Sequence, residues 1–120
     1  MRVLLTNDDG IEAAGLRRMR QELLAAGGVD LVVIAPDGNR SAVGRGISFR
    51  RPVHVASFAF DSGPAGWSAD GTPVDCVRLA DLGLAGGAKP DLVVSGINHG
   101  ANLGDDIAYS GTVAAALEGV

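Results

Sequence analysis

The chain has 120 residues, 47% of them hydrophobic and 20% charged, with a net charge of −4, which is the length of one domain and the make-up of a globular fold. Its 18 glycines stand against 3 Phe, 1 Trp and 1 Tyr, so the core must be built from Val, Leu, Ile and Ala, and an aromatic platform for stacking nucleic-acid bases is excluded. A mean hydropathy of +0.23 argues against disorder, no apolar run reaches the length of a bilayer span, and the acidic balance argues against a general DNA binder.

Arg2–Thr6 reads as a buried strand, ended by the turn Asn7-Asp8-Asp9-Gly10. Residues 12–26 read as a helix, with Leu16, Met19 and Leu23 on one face and Gly27-Gly28 as the stop. Residues 31–35 form a second buried strand closed by Pro36-Asp37-Gly38. This makes a βαβ unit, with parallel strands and a right-handed crossover. A polar loop follows over 39–46. Alternation such as Val53-His54-Val55 predicts short strands or a hairpin between 46 and 60, with Gly63-Pro64 as a turn.

Thr72-Pro73-Val74-Asp75 is a helix start: Thr72 can cap, Pro73 suits the first helical position and Asp75 sits in the first turn. That helix should run to about residue 82, with the single cysteine, Cys76, as core packing. One cysteine allows no internal disulfide and no thiolate metal site, and acidic residues follow Met1–Thr6 at once, so a cytoplasmic protein without a leader is expected. Residues 91–95 read as a third apolar strand, 96–111 as a long Gly-rich loop and 112–120 as a small-residue helix with no stop signal.

Polar clusters follow three of the predicted strands: Asn7-Asp8-Asp9, Asn39-Arg40-Ser41, and Ser95 to Asn98. Ligands in open α/β sheets bind at the carboxyl ends of strands, so these clusters are expected on one rim. With 11 Asp in the chain, an adjacent pair is unremarkable by itself, and the plain alternative is a turn with helix-start acids. Two carboxylates at the end of a buried strand repel each other unless a cation lies between them, which favours the functional reading for Asp8-Asp9. Asp105-Asp106 lies in a loop, where the plain reading is preferred. The donors near Asp8 and Asp9 are hard oxygens, the Ser41 hydroxyl and the Asn98 carbonyl, which suit Mg²⁺ or Mn²⁺ rather than zinc.

His54 reads as structural, and His99 as an exposed loop residue with proton transfer as its alternative role. Ser110-Gly111-Thr112 before the last helix is either a simple cap or an anion pocket of hydroxyls and free N–H groups. Gly10, Gly96, Gly100, Gly104 and Gly111 are expected where backbone comes close to metal and phosphate. Charge is uneven: residues 1–60 carry 8 basic and 6 acidic groups (+2), residues 61–120 carry 2 and 8 (−6). Arg40, Arg45, Arg50 and Arg51 crowd one stretch, as a solvated loop or as an attractor of anionic substrate.

Five segments together resemble the stationary-phase survival protein SurE family of metal-dependent nucleotidases. They are MRVLLTNDDG (1–10), APDGNRS (35–41), GTPVDCV (71–77), PDLVVSGINHGANLGDD (90–106) and YSGTVAAALEG (109–119). The resemblance implies a single α/β domain over 1–120, a Rossmann-like three-layer α/β/α sandwich with a mostly parallel sheet. It implies a 5′-nucleotidase of the acid-phosphatase type, hydrolysing nucleoside 5′-monophosphates, with 3′-monophosphates as a second class. By motif position, Asp8, Asp9, Ser41 and Asn98 would hold one divalent cation, Mg²⁺ or Mn²⁺, and Ser110, Gly111 and Thr112 would face the phosphate. A homo-oligomer, dimer or tetramer, built partly by a C-terminal extension, is also implied, with no nucleic-acid polymer or membrane as partner. Glu12-Ala13-Ala14-Gly15 replaces a stretch that often reads His-Ala-Pro-Gly in the family. Family chains are longer, so the 120 residues are expected to be the site-bearing N-terminal portion of a C-terminally truncated family domain.

In the expected mechanism Asp8 or Asp9 either accepts the proton of an attacking water or attacks phosphorus directly, the water route being preferred because both carboxylates serve as ligands. A phosphorylation-receiver domain is the rival with a similar acidic pair, but Ser95 stands where its acceptor Asp would be. A dinucleotide-binding domain lacks its Gly-x-Gly-x-x-Gly fingerprint after the first strand.

Overall fold

Apolar runs of four or five residues, each ended by a turn, can bury both faces only inside a parallel sheet, and the chain folds accordingly. The computed structural model describes residues 1–40, 45–84 and 86–120. Strand β1 (Arg2–Thr6) leads through helix α1 (Ala14–Ala26) to β2 (Asp30–Pro36), and β3 (Val55–Phe58) and β4 (Gly66–Ala69) follow. Helix α2 (Pro73–Asp81), β5 (Leu92–Ser95), a 3₁₀ turn (Gly104–Tyr109) and helix α3 (Gly111–Glu118) complete the order. The five strands line up as β3-β4-β2-β1-β5. β1 pairs in parallel with β2 (Leu4 beside Val32) and with β5 (Thr6 beside Ser95), β2 pairs in parallel with β4, and β3 alone runs antiparallel.

β1 lies between β2 and β5 with both of its faces covered. Leu4 packs on one side with Ile34, Cys76, Val77, Ala80 and Ala115, the face covered by α2 and α3. Leu5 packs on the other with Ile11, Leu16, Val33 and Ala35, the face covered by α1. Helices on both faces of a mostly parallel sheet give the three-layer α/β/α arrangement that the resemblance implies. Cys76 is fully buried within the first cluster, and burial pushes its thiol up to about 12, which keeps it a protonated packing group.

The differences from the sequence reading have local causes. α1 starts two residues later than residue 12 because the preceding residues are committed to a turn. The Asn7 side chain accepts from Gly10 N and donates to Gly10 O, and Ile11 N donates to Pro36 O at 2.8 Å. The strand expected around His54 lies further along, so that His54 is exposed just before β3, with its backbone N donating to Asp70 Oδ1 at 2.7 Å. Strand β4 was not foreseen: Gly-Trp-Ser-Ala has no apolar run, and its place is set by pairing β2 and β3. The supposed loop after β5 contains the 3₁₀ turn, with Asp105 and Asp106 in its first turn.

Two buried charged groups fasten the periphery. Arg20, 4% exposed on α1, donates from Nη2 to Ser62 O (2.8 Å) and Pro64 O (2.6 Å) and lies 4.1 Å from the Phe60 ring centroid. It holds the β3–β4 connection against the helix, and burial lowers its pKa. Arg20→Ala should cost about 2–3 kcal/mol in thermal unfolding. Arg20→Lys should recover little of that, because a compact ammonium cannot reproduce the planar guanidinium over the Phe60 ring.

Asp75, 5% exposed, completes a capping box with Thr72 and also accepts from Ser48 N (3.1 Å) and Ser48 Oγ (2.8 Å). Burial acts to raise its pKa, but the hydrogen bonds from Thr72 and Ser48 outweigh it and hold the carboxyl below its usual 3.8. A lowered folded pKa means that this stabilisation is complete above the unfolded value and is lost as pH falls through the folded one. Asp75→Asn should therefore destabilise by roughly 2 kcal/mol at pH 7, and the gap to the parent should close below about pH 4 in chemical denaturation.

Candidate metal and phosphate site at the carboxyl edge of the sheet

β1 and β5 are parallel neighbours, so the residues after Thr6 and after Ser95 leave the sheet on the same side. Crossovers from β1 run to β2 on one hand and β5 lies on the other, so the gap between β1 and β5 is the point where strand order reverses. α3 points its N-terminus into that gap. A Cβ at Gly111 would lie 2.9 Å from Asp8 Cβ and 3.1 Å from Pro73 Cγ, so only glycine lets the helix start come this close to the carboxylate.

Asp8 is 4% exposed, and its Oδ1 accepts from the Thr112 hydroxyl at 2.7 Å. The same hydroxyl lies 3.3 Å from Asn98 Oδ1, so Asp8 and Asn98 bring their oxygens to one place. The Asn98 amide nitrogen is turned away and donates to Gly100 O at 3.1 Å. Asp9 Oδ2 accepts from His99 backbone N at 2.9 Å, which ties the segment after β5 to the turn after β1. The third rim cluster joins through Arg40 N, which donates to Asp8 O at 2.7 Å.

Of the residues singled out from sequence, Asp8, Asp9, Asn98, Ser110, Gly111 and Thr112 come together here, while Ser41 lies outside the described residues. Ser110 Oγ accepts from Val113 N at 3.2 Å and so caps α3, and Thr112 is engaged with Asp8. His99 is exposed, and it is its backbone rather than its ring that holds Asp9. A cavity of about 190 Å³ opens beside Asp8 and is lined by Asn98, His99, Asn102, Asp106, Tyr109 and Ser110. Asn102, Asp106 and Tyr109 were not among the expected site residues. The second acidic pair, set aside as a loop feature, was the available signal for Asp106.

Three of the four arginines in the arginine-rich stretch form ion pairs among the described residues. Arg40 meets Asp37 (2.6 Å), Arg45 meets Glu118 (3.2 Å) and Arg51 meets Asp70 (3.1 Å). Of the five glycines expected where backbone nears a ligand, Gly111 lets the start of α3 approach Asp8. Gly100 and Gly104 have positive φ with open space around them, so they serve the turns. Ser95, at the end of β5, has a buried Oγ with no partner among the described residues, and being serine it is not the acceptor Asp that a receiver domain would need there.

The residues fit a hard divalent cation. Two adjacent carboxylates, one almost fully buried, take part in no ion pair among the described residues, and a neutral amide oxygen points at the same spot. No group of three His, Cys, Asp or Glu side chains is present among the described residues, so the neutral oxygens of Asn98 and Ser41 would have to complete the set.

The family model described as survival protein SurE matches residues 3–120. The 5′-nucleotidase SurE of Rubrobacter xylanophilus is 56% identical over 120 residues, a match covering all of this chain and 44% of its own. That of Treponema pallidum is 53% identical over 121 residues, covering all of this chain and 63% of its own. The crystal structure of the SurE protein from Aquifex aeolicus superposes with a TM-score of 0.81 at 45% identity, over 99% of this chain and 46% of that one. The chain thus spans about half the length of the relatives it matches. On a match over nearly its whole length, the chain belongs to the SurE family.

Proposed function

We propose that this chain carries the catalytic rim of a divalent-metal-dependent phosphomonoester hydrolase acting on nucleoside 5′-monophosphates, with 3′-monophosphates as a second substrate class. The observation that carries the reading is the meeting of Asp8, Asp9 and Asn98 with the start of α3 at the strand-order switch. The printed name of the relatives, 5′-nucleotidase, agrees with it.

In this reading Asp8, Asp9, Asn98 and Ser41 hold one Mg²⁺ or Mn²⁺. Once bound, the cation would neutralise phosphoryl oxygens and lower the pKa of a water. The chain's own residues do the rest. Ser110, Gly111 and Thr112 bring the N-terminus of α3 to the phosphate, where the dipole favours negative charge. Thr112 fixes the Asp8 carboxylate by hydrogen bonding, and His99 N fixes that of Asp9, so neither needs to reorganise as charge develops. Asp8 or Asp9 accepts the proton of the attacking water. Direct attack by one of them is the less favoured route, because it would remove a ligand. The complete protein is read as a cytoplasmic homo-oligomer with no nucleic-acid polymer or membrane as partner. No helix of the described residues is long and apolar enough to cross a membrane.

Phosphate release from a panel of nucleoside monophosphates, measured for this chain and for the complete Rubrobacter relative, should require Mn²⁺ or Mg²⁺ and stop with chelator. Asp8→Asn and Asp9→Asn should each lower turnover by at least about 10²-fold. Near-normal turnover in both variants would refute the assignment. Thr112→Val keeps the shape but leaves Asp8 without its donor. It should cost about 1–2 kcal/mol of stability and lower kcat/KM roughly tenfold, as read by calorimetry and steady-state kinetics.

A further inference from the structure

Gly15 lies in the first turn of α1 and has ordinary helical backbone, so nothing in its own φ demands glycine. In a helix, alanine is favoured over glycine by up to about 1 kcal/mol. Yet a Cβ at this position would sit 2.1 Å from the carbonyl oxygen of Ile97, 3.0 Å from its carbonyl carbon and 3.4 Å from its Cβ. The nearest obstacles are backbone atoms, which cannot swing aside as a side-chain tip can.

One of the two bodies must move, and they are not equally held. α1 is fastened directly after Gly15 by Leu16, fully buried against Leu5, Ile11, Val33 and Ala35, and one turn later by Arg20. The segment after β5 is on the surface, with Ile97 48% exposed. Beyond its start at Gly96, whose N donates to Thr6 O, it is attached to the rim at two points among the described residues. These are Asn98 Oδ1 near the Thr112 hydroxyl and His99 N on Asp9 Oδ2. A push on Ile97 O is therefore delivered to Asn98 and His99, the residues that meet Asp8 and Asp9.

We propose that Gly15 is a positioning residue for the cation site: its missing side chain lets α1 press against Ile97 O and so sets how close Asn98 and His99 stand to the two aspartates. This rests on the reading of that rim as a divalent-cation site, and it adds a residue that contributes no atom to the site and acts only through Ile97.

The test is Mn²⁺ binding, followed by electron paramagnetic resonance of the free ion, with no substrate present. Gly15→Ala should keep its far-ultraviolet circular dichroism and bind Mn²⁺ at least tenfold more weakly. Ala14→Val, an exposed change in the same turn, should bind within twofold of the parent. If the effect passes through Asn98, Gly15→Ala should add little to the loss already caused by Asn98→Ala, since changes acting on one element are not additive. Binding by Gly15→Ala within twofold of the parent would overturn the proposal, whereas a full additional loss in the Asn98→Ala background would assign the effect to His99 N and Asp9. A Gly15→Ala chain that loses its fold outright would also overturn it, because the contact would then serve the fold and not the rim. A parent chain that binds no Mn²⁺ would instead remove the cation-site reading itself, and this proposal with it.

Discussion

A carboxylate that is almost out of reach of water must be met by something, and this requirement organises the rim. Asp8 is carried there by β1, whose residues Val3 to Thr6 are fully buried between two parallel neighbours, so the strand cannot tilt to give its terminal acid more solvent. Desolvation of an ionised group is costly unless hydrogen bonds or charge compensate it. Around Asp8 the chain supplies the Thr112 hydroxyl and the positive end of a helix, and Asp8 enters no ion pair among the described residues. What is left uncompensated is what a small divalent ion would provide.

The close approach of α3 follows from the same requirement. Helix N-termini act over only about one turn, so α3 can favour charge at Asp8 only by nearly touching it. Gly111 makes that contact sterically possible, and Ser110 satisfies the first turn from within through its bond to Val113 N. On the other side of the rim, Asp9 depends on a backbone donor in an exposed segment, so the two adjacent acids differ sharply in how rigidly they are held.

Much of this was legible in the residues. The apolar runs of β1, β2 and β5 and the Thr72-Pro73-Val74-Asp75 signature of α2 are local signals, written in residues that are neighbours in sequence. Asp8, Asp9 and Asn98 followed from them, because parallel strands put their carboxyl ends on one side. β4 was not legible: Gly-Trp-Ser-Ala acquires its strand conformation from β2 and β3, which lie far from it in sequence. Nor were Asn102, Asp106 and Tyr109, which reach the cavity because a 3₁₀ turn folds back a stretch that reads as plain loop. The arginine-rich stretch shows the converse. Its charge density is visible in the residues, but two of its carboxylate partners, Asp70 and Glu118, are remote in sequence. Gly15 carries no sign of its contact with Ile97, which exists only across the packed helix and loop.

Asp75 serves two elements with one side chain. Its carboxylate caps α2 and at the same time grips Ser48, 27 residues earlier, through both backbone and hydroxyl, while Thr72 Oγ1 donates to Gly46 O at 2.6 Å. In a chain with a single cysteine this closes a loop without a covalent bond. The segment at 46–48 cannot lift away without uncapping the helix, and the helix cannot fray from its start without releasing the segment. The two should exchange their amide hydrogens as one cooperative unit, although one of them has no regular structure of its own.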